Sequence, residues 1–207
     1  MNPCAIIARI FTRDLLMKLN RFTCLCLLGM ACISTSSAND FEAALSSETA
    51  QFTFRSDSSL IGWGGSDLAL GLFYNEDDDF IGQVSLVQMR QASEDNPLTF
   101  GVGVKGYLGT LDDIDQDVLA FGIGGEIRYT IPGTMPMAVY LRAYIAPEIT
   151  SFSDTEGVLD YQLGFQIEAL PQTIAFVGIR HLEFDTDDDD DYEADDDNLH
   201  FGVRLTF

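Results

Sequence analysis

The segment Asn198-Leu199-His200-Phe201-Gly202-Val203-Arg204-Leu205-Thr206-Phe207 decides the fold of this chain. Leu199, Phe201, Val203, Leu205 and Phe207 fall on one side of a period-two repeat, and His200, Gly202, Arg204 and Thr206 fall on the other. Side chains of a strand alternate between faces, so the segment has one wholly apolar face and one small, polar or charged face. A soluble sandwich strand can alternate in the same way. Few soluble domains, however, stop on the last residue of a strand with no polar tail.

That ending resembles the C-terminal signature of bacterial outer-membrane β-barrels. The resemblance implies that Phe201, Val203, Leu205 and Phe207 form a membrane-insertion signal read by the barrel assembly machinery, which would then be a partner. Working backwards, roughly ten-residue segments recur at 174–184, 158–169, 137–146, 118–131, 98–108, 80–90 and 67–75. Membrane-spanning strands need about 9–11 residues, more than a typical soluble strand. Segment 118–131 sets Leu119, Phe121, Ile123, Ile127, Tyr129 and Ile131 against Gly122, Gly124, Glu126, Arg128 and Thr130. Segment 158–169 sets Leu159, Tyr161, Leu163, Phe165 and Ile167 against Asp160, Gln162, Gly164, Gln166 and Glu168. Segments 98–108 and 137–146 divide similarly, with Lys105, Tyr107, Tyr140, Arg142 and Tyr144 on their polar faces, whereas 80–90 and 174–184 allow no assignment of faces.

Periodicity is the same for a soluble sandwich and for a membrane barrel with its aliphatic face in lipid and its polar face in the lumen. Strand length, the terminal Phe207 and aromatics near strand ends (Phe73, Tyr74, Tyr129, Phe184, Phe201) favour the barrel. The fold expected is therefore all-β, a small antiparallel transmembrane β-barrel over residues 67–207 with eight strands. Residues 51–56 also alternate, so the segment 39–66 is either an extra element outside the barrel or part of a ten-stranded one. With the last strand ending in the periplasm, the long links 185–197 and 147–157 fall outside and the short links 170–173 and 132–136 inside, as in such barrels.

A basic start (Lys18, Arg21), an apolar run from Phe22 to Ile33 and a small-residue tail ending at Ala38 have the layout of a signal peptide over residues 17–38, with residues 1–16 an upstream extension. The expected location is the outer membrane of a Gram-negative bacterium after cleavage near Ala38. All four cysteines lie before residue 39, which leaves the mature part no disulfide or thiolate metal site. Removing Arg9, Arg13, Lys18, Arg21 and Asp14 from 11 basic and 33 acidic residues leaves 7 and 32, a formal net charge of −25 for residues 39–207. Such a chain does not bind nucleic acid through its phosphates.

Gly125-Glu126-Ile127-Arg128-Tyr129, Ala146-Pro147-Glu148-Ile149-Thr150-Ser151-Phe152, Leu170-Pro171-Gln172-Thr173 and Leu199-His200-Phe201-Gly202-Val203-Arg204-Leu205 occur in this order after Tyr74-Asn75-Glu76-Asp77-Asp78-Asp79. Together they resemble the YfaZ family of outer-membrane proteins across most of residues 67–207. The resemblance implies a small barrel in the outer membrane and no particular reaction.

Candidate chemistry is sparse. Asp187, Asp188, Asp189, Asp190, Asp191, Asp195, Asp196 and Asp197 form a loop suited to loosely held Ca²⁺ or Mg²⁺, which favour carboxylate oxygens. The loop lacks the glycine and terminal glutamate of an EF-hand, and a solvated, self-repelling loop is the simpler reading. Outside the cell it would meet lipopolysaccharide phosphates through bridging cations, with Glu76–Asp79 and Asp112–Asp117 sharing the role. Lys105, Arg128, Arg142 and Arg204 on polar faces would meet Glu126, Asp160 and Glu168 in a luminal charge network. Such a network fills a narrow barrel as a plug, with a small gated pore as the alternative. His181 and His200 are the only histidines, and no nearby serine forms a nucleophile pattern, so no catalytic residue or cofactor is expected. The function expected is a monomeric barrel with a filled lumen and acidic outer loops, structural or engaged in surface interaction with outer-membrane lipids and lipopolysaccharide. A narrow channel and a barrel lipid hydrolase are the alternatives, in that order.

Overall fold

The structure is a computed structural model that describes residues 39–58, 65–93, 96–112, 116–186 and 192–207. The leader expected over residues 1–38 and the aspartates 187–191 lie outside the described residues. Among the described residues, eleven strands form one antiparallel sheet: β1 (Asp40–Leu45), β2 (Thr49–Asp57), β3 (Asp67–Asn75), β4 (Phe80–Gln91), β5 (Leu98–Leu111), β6 (Gln116–Ile131), β7 (Met137–Ala146), β8 (Ser151–Ser153), β9 (Thr155–Leu170), β10 (Thr173–Thr186) and β11 (Tyr192–Thr206). Each of ten strands pairs with its neighbours in the chain, and β1 pairs with β11 to close the ring. The short β8 lies outside this ring, against the upper part of β6 beside the end of β7.

The eight strands expected over 67–207 all form, five of them two or more residues longer at one end than the alternation indicated. The expected strand number is corrected from eight to ten, the stated alternative, because the segment before residue 67 supplies β1 and β2. Its hairpin turns at Ser46–Glu48, where the Ser46 hydroxyl accepts the Thr49 amide at 2.9 Å. Closure is direct: Asp40 lies opposite Thr206 and Leu45 opposite Phe201, while Asn39 and Phe207 exchange backbone hydrogen bonds of 3.0 and 2.9 Å. Closing the sheet satisfies the edge groups of both terminal strands, a requirement for any sheet that sits in lipid.

Alternation then sorts the side chains. Every polar-face residue assigned on the 98–108, 118–131, 137–146, 158–169 and 198–207 segments lies in register on the inner face. The outer face carries a band of exposed apolar side chains, among them Leu70, Val102, Ile123, Leu141, Leu163 and Phe201. A band of this extent is far larger than the patches tolerated on a soluble monomer, and it matches the lipid-facing surface of a membrane barrel. No helix among the described residues is long and apolar enough to cross a membrane.

Strands β4 and β10 resisted assignment because they are apolar on both faces. Ile81 and Val87 point inward opposite the outward Phe80 and Val84, and Phe176, Leu182 and Phe184 point inward opposite the outward Val177 and Ile179. Phe73 and Phe184 belong to this inner set. Both are fully buried, which corrects their expected place in an interfacial girdle; Tyr74, Tyr129, Phe201 and Phe207 do lie on the outer surface.

Candidate functional site

The barrel interior is layered. At the end away from the termini, Phe73, Ile81, Tyr107, Leu111, Val118, Leu182, Phe184 and Tyr192 pack into an apolar cluster, with Tyr107 meeting Phe184 edge to face at 6.1 Å between ring centroids. The connection 76–79 at this end is a tight turn with Asp78 in the left-handed region (φ 64°). Its Asp79 carboxylate turns inward and accepts hydrogen bonds from Asn75 Nδ2 at 2.8 Å, the Asp112 amide at 2.8 Å and Tyr192 Oη at 2.9 Å. Burial pushes this carboxyl up from its ordinary range, and the three donors pull it back. Asp79 is thus consumed in tying three connections together and is not offered to an outside cation.

Below the apolar cluster the lumen is charged. Six of the seven basic residues of 39–207, Arg55, Lys105, Arg128, Arg142, Arg180 and Arg204, are inside the barrel, and only Arg90 points out. Residues 39–207, with a formal net charge of −25, therefore concentrate nearly all of their cations in one enclosed column. Lys105 Nζ pairs with Asp160 Oδ2 at 2.5 Å, and the same oxygen accepts the Tyr107 hydroxyl at 2.8 Å. Lys105 also sits 5.0 and 5.6 Å from the ring centres of Tyr107 and Tyr144, so its charge is met by two π faces as well as a carboxylate. Arg180 Nε donates to Asp195 Oδ2 at 2.5 Å, its Nη2 donates to Thr49 Oγ1 at 2.7 Å, and its Nη1 reaches Gln51 Oε1.

Nearer the termini, Glu42 is the hub. Its Oε2 accepts Arg204 Nε at 2.9 Å and Nη2 at 2.7 Å, with Arg142 Nη1 3.5 Å from Oε1 and Arg55 Nε 3.9 Å from Oε2 completing the ring of cations. Arg142 Nε bridges on to Glu126 at 3.1 Å, and Glu126 takes Arg128 Nη2 at 2.5 Å. Four arginines thus surround two glutamates. Asp40, Asp57 and Asp67 line the mouth beyond them, around a cavity of about 140 Å³ shared with Arg55, Arg128 and Arg204. A second cavity, about 50 Å³ and bounded by Glu42, Arg55, Lys105, Glu126, Arg142 and Asp160, lies within the network. Arg142 Nη2 and Arg128 Nε are buried without a hydrogen-bond partner among the described residues, so waters in these spaces are their natural partners. Glycines make room for the bulk: a Cβ at Gly164 would lie 2.5 Å from the Tyr140 ring, and one at Gly202 would lie 2.1 Å from Phe176.

Of the residues anticipated as a luminal network, Lys105, Glu126, Arg128, Arg142, Asp160 and Arg204 are all brought inside. Glu168 is not joined to them: it is half-buried near the terminal end of β9 and makes no ion pair among the described residues. Glu42, Arg55 and Arg180 escaped sequence reasoning. The first two lie on β1 and β2, before the segment 67–207 expected to form the barrel, and the third on β10, where both faces are apolar; the inward alternation of Asp40, Glu42 and Ala44 is the available signal.

Among the aspartates of the acidic loop, Asp195 points inward to Arg180 and is corrected from the cation-binding set, whereas Asp196 and Asp197 are exposed. The two histidines do not face each other. His200 is inside, 2.7 Å from Gln162 Nε2 through its own Nε2, and His181 is on the outward face, stacked on Tyr161. Phe201, Val203, Leu205 and Phe207 line the outer face of β11 beside the seam with β1.

Comparison with solved structures returns outer-membrane proteins. The outer-membrane channel DcaP of Acinetobacter baumannii is 11% identical with a TM-score of 0.39, covering 80% of this chain and 54% of its own. A bacterial polysaccharide outer-membrane secretin is 14% identical at a TM-score of 0.44, covering 77% and 55%. Neisserial surface protein A is 18% identical at a TM-score of 0.36, covering 84% and 98%. The chain spans about half the length of the first two. No curated protein matches it in sequence. A family model described as "YfaZ precursor" matches residues 17–207, nearly the whole chain and the same family whose phrases run through its second half, and the chain therefore belongs to the YfaZ precursor family.

Proposed function

We propose that the mature chain is a monomeric, non-conducting outer-membrane barrel that acts as a structural and surface-interaction element. The reading rests on one observation, the filling of the lumen in two layers, apolar above and ion-paired below, around cavities of only about 50 and 140 Å³. A ring of eight strands is just wide enough to be filled by side chains, so ten strands leave extra width. This chain supports occlusion by spending its largest inward residues there: Tyr107, Tyr140, Tyr144, Phe176, Phe184 and six long cations.

In this reading Phe207 marks the periplasmic end, the leader is removed near Ala38, and the barrel assembly machinery acts on β11. The opposite end carries the acidic connections to the cell surface, where loosely held Ca²⁺ or Mg²⁺ bridges them to lipopolysaccharide phosphates. No reaction is assigned: His200 is engaged by Gln162 and His181 by Glu183, and neither hydrogen-bonds a serine among the described residues.

Planar-bilayer recording tests the proposal. Folded protein is expected to add no steady ion conductance, whereas stable, voltage-tolerant conductance steps would favour the narrow-channel alternative and refute occlusion.

A further inference from the structure

We propose that His181, Asp196 and Asp197 form a binding site for one divalent first-row transition ion of the Zn²⁺ type, on the outward surface above the apolar band. The site is made by a break in strand register. Between β10 and β11, Arg180 pairs with Asn198 and Leu182 with Asp195, so His181 of one strand stands opposite both Asp196 and Asp197 of the other. A bulge of this kind re-aims side chains. Here it leaves Asp195 facing inward and turns both Asp196 and Asp197 outward, with Asp197 in the left-handed region (φ 48°) that Asp tolerates.

One ligand atom from each of His181, Asp196 and Asp197 lies within 4.8 Å of the others. Exposed carboxylates alone would mean little. The second observation is the imidazole: His181 is 7% exposed, and its Nδ1 is buried with no hydrogen-bond partner among the described residues, 3.9 Å from Asp197 Oδ1. Its other nitrogen, Nε2, is 2.9 Å from the Glu183 carboxylate. A metal-ligating histidine almost always donates its second N–H to a carboxylate, carbonyl or water, which fixes the tautomer and raises the basicity of the ligating nitrogen. Glu183 is placed for that role and leaves Nδ1 with its lone pair toward the aspartates. Tyr161 fixes both partners at once, stacking on the imidazole at 4.9 Å and donating its hydroxyl to Asp197 Oδ1 at 2.7 Å.

One imidazole with two carboxylates suits Zn²⁺ and its neighbours, whereas Ca²⁺ and Mg²⁺ take oxygen ligands. Both aspartates are exposed, which leaves the remaining coordination positions open to solvent. The bound ion would clamp β10 to β11 across the bulge. This site is independent of the proposed occlusion of the lumen, since all its ligands lie on the outer face.

The test is calorimetric titration of the folded full-length barrel with ZnCl₂ and CaCl₂, with Co²⁺ visible absorption as the spectroscopic readout. One equivalent of Zn²⁺ is expected, with Co²⁺ d–d bands. His181→Asn is expected to weaken Zn²⁺ binding roughly 100-fold or more and Glu183→Gln roughly 10-fold, in line with 10–100-fold effects of removing outer partners of a ligand. Asp197→Asn retains the imidazole and the tolerated backbone conformation, and is expected to weaken Zn²⁺ binding while leaving the heat-modifiable gel mobility of the barrel intact. Zn²⁺ binding unchanged by His181→Asn and by Asp197→Asn would place the ion on the acidic loop and overturn the proposal, as would the absence of binding.

Discussion

Glu42→Ala is expected to lower the unfolding free energy of the barrel by about 3–5 kcal/mol, the cost of removing one partner of a buried ion pair. Glu42 is 5% exposed and faces three arginines; Arg142 is shared with Glu126, and Arg55 and Arg204 have no other ion pair among the described residues. Its removal takes the ion-pair partner from Arg204 on β11 and from Arg55 on β2, the strands on either side of β1. The effect is specific to the charge balance, so adding Arg204→Ala to Glu42→Ala should recover part of the loss, with a coupling of about 0.5–3 kcal/mol. Urea titration of the folded protein in lipid vesicles measures both. A loss below about 1 kcal/mol would mean that the pair is solvated as at a protein surface, and the tight lower lumen described above would be wrong.

Phe184→Ala carries the second large effect. The side chain is fully buried in the apolar cluster, edge-on to Tyr107. Truncating a packed phenylalanine costs about 3–5 kcal/mol, the sum of lost transfer energy and the cavity left behind. Phe201 on the outer face of β11 gives the contrast: Phe201→Ala removes only lipid contact and leaves no internal cavity, so its cost should be clearly smaller in the same titration. Equal losses at the two positions would contradict the inward placement of Phe184.

The sequence shows the barrel because lipid and lumen impose opposite polarity on alternate residues, and five strands follow that rule along most of their length, outside the apolar cluster that takes in Val118 and Val158. The rule failed where it was physically weak. On β10 the inward Leu182 and Phe184 belong to the apolar cluster, so both faces read as apolar and Arg180 could not be placed. The first strand, Asp40-Phe41-Glu42-Ala43-Ala44-Leu45, is six residues long and rich in helix formers, and its turn at Ser46–Glu48 has no glycine or proline to mark it. Length and local propensity therefore hid β1, and with it Glu42, the most connected carboxylate of the lumen. Pairing across the seam, not local preference, makes that segment a strand. Asp196 and Asp197 stand out in the sequence as cation candidates, but their meeting with His181 does not: period two cannot anticipate a bulge, and without it Asp195 and Asp197 would share a face and Asp196 would point the other way.

Closure of ten strands between β1 and β11 is the central claim, and disulfide capture measures it directly. Residues 39–207 contain no cysteine, so a pair can be introduced without competition. Ala43 and Val203 lie directly opposite each other in register. Opposite Cβ atoms of an antiparallel pair are about 4.5–5.5 Å apart, a separation that a disulfide can bridge with little adjustment. The ten-stranded ring predicts that Ala43→Cys with Val203→Cys cross-links in the folded, membrane-embedded protein, and that Leu70→Cys on β3 with Val203→Cys does not. Capture of Leu70→Cys by Val203→Cys, with Ala43→Cys left free, would mean that β3 closes the ring in an eight-stranded barrel and would contradict this account.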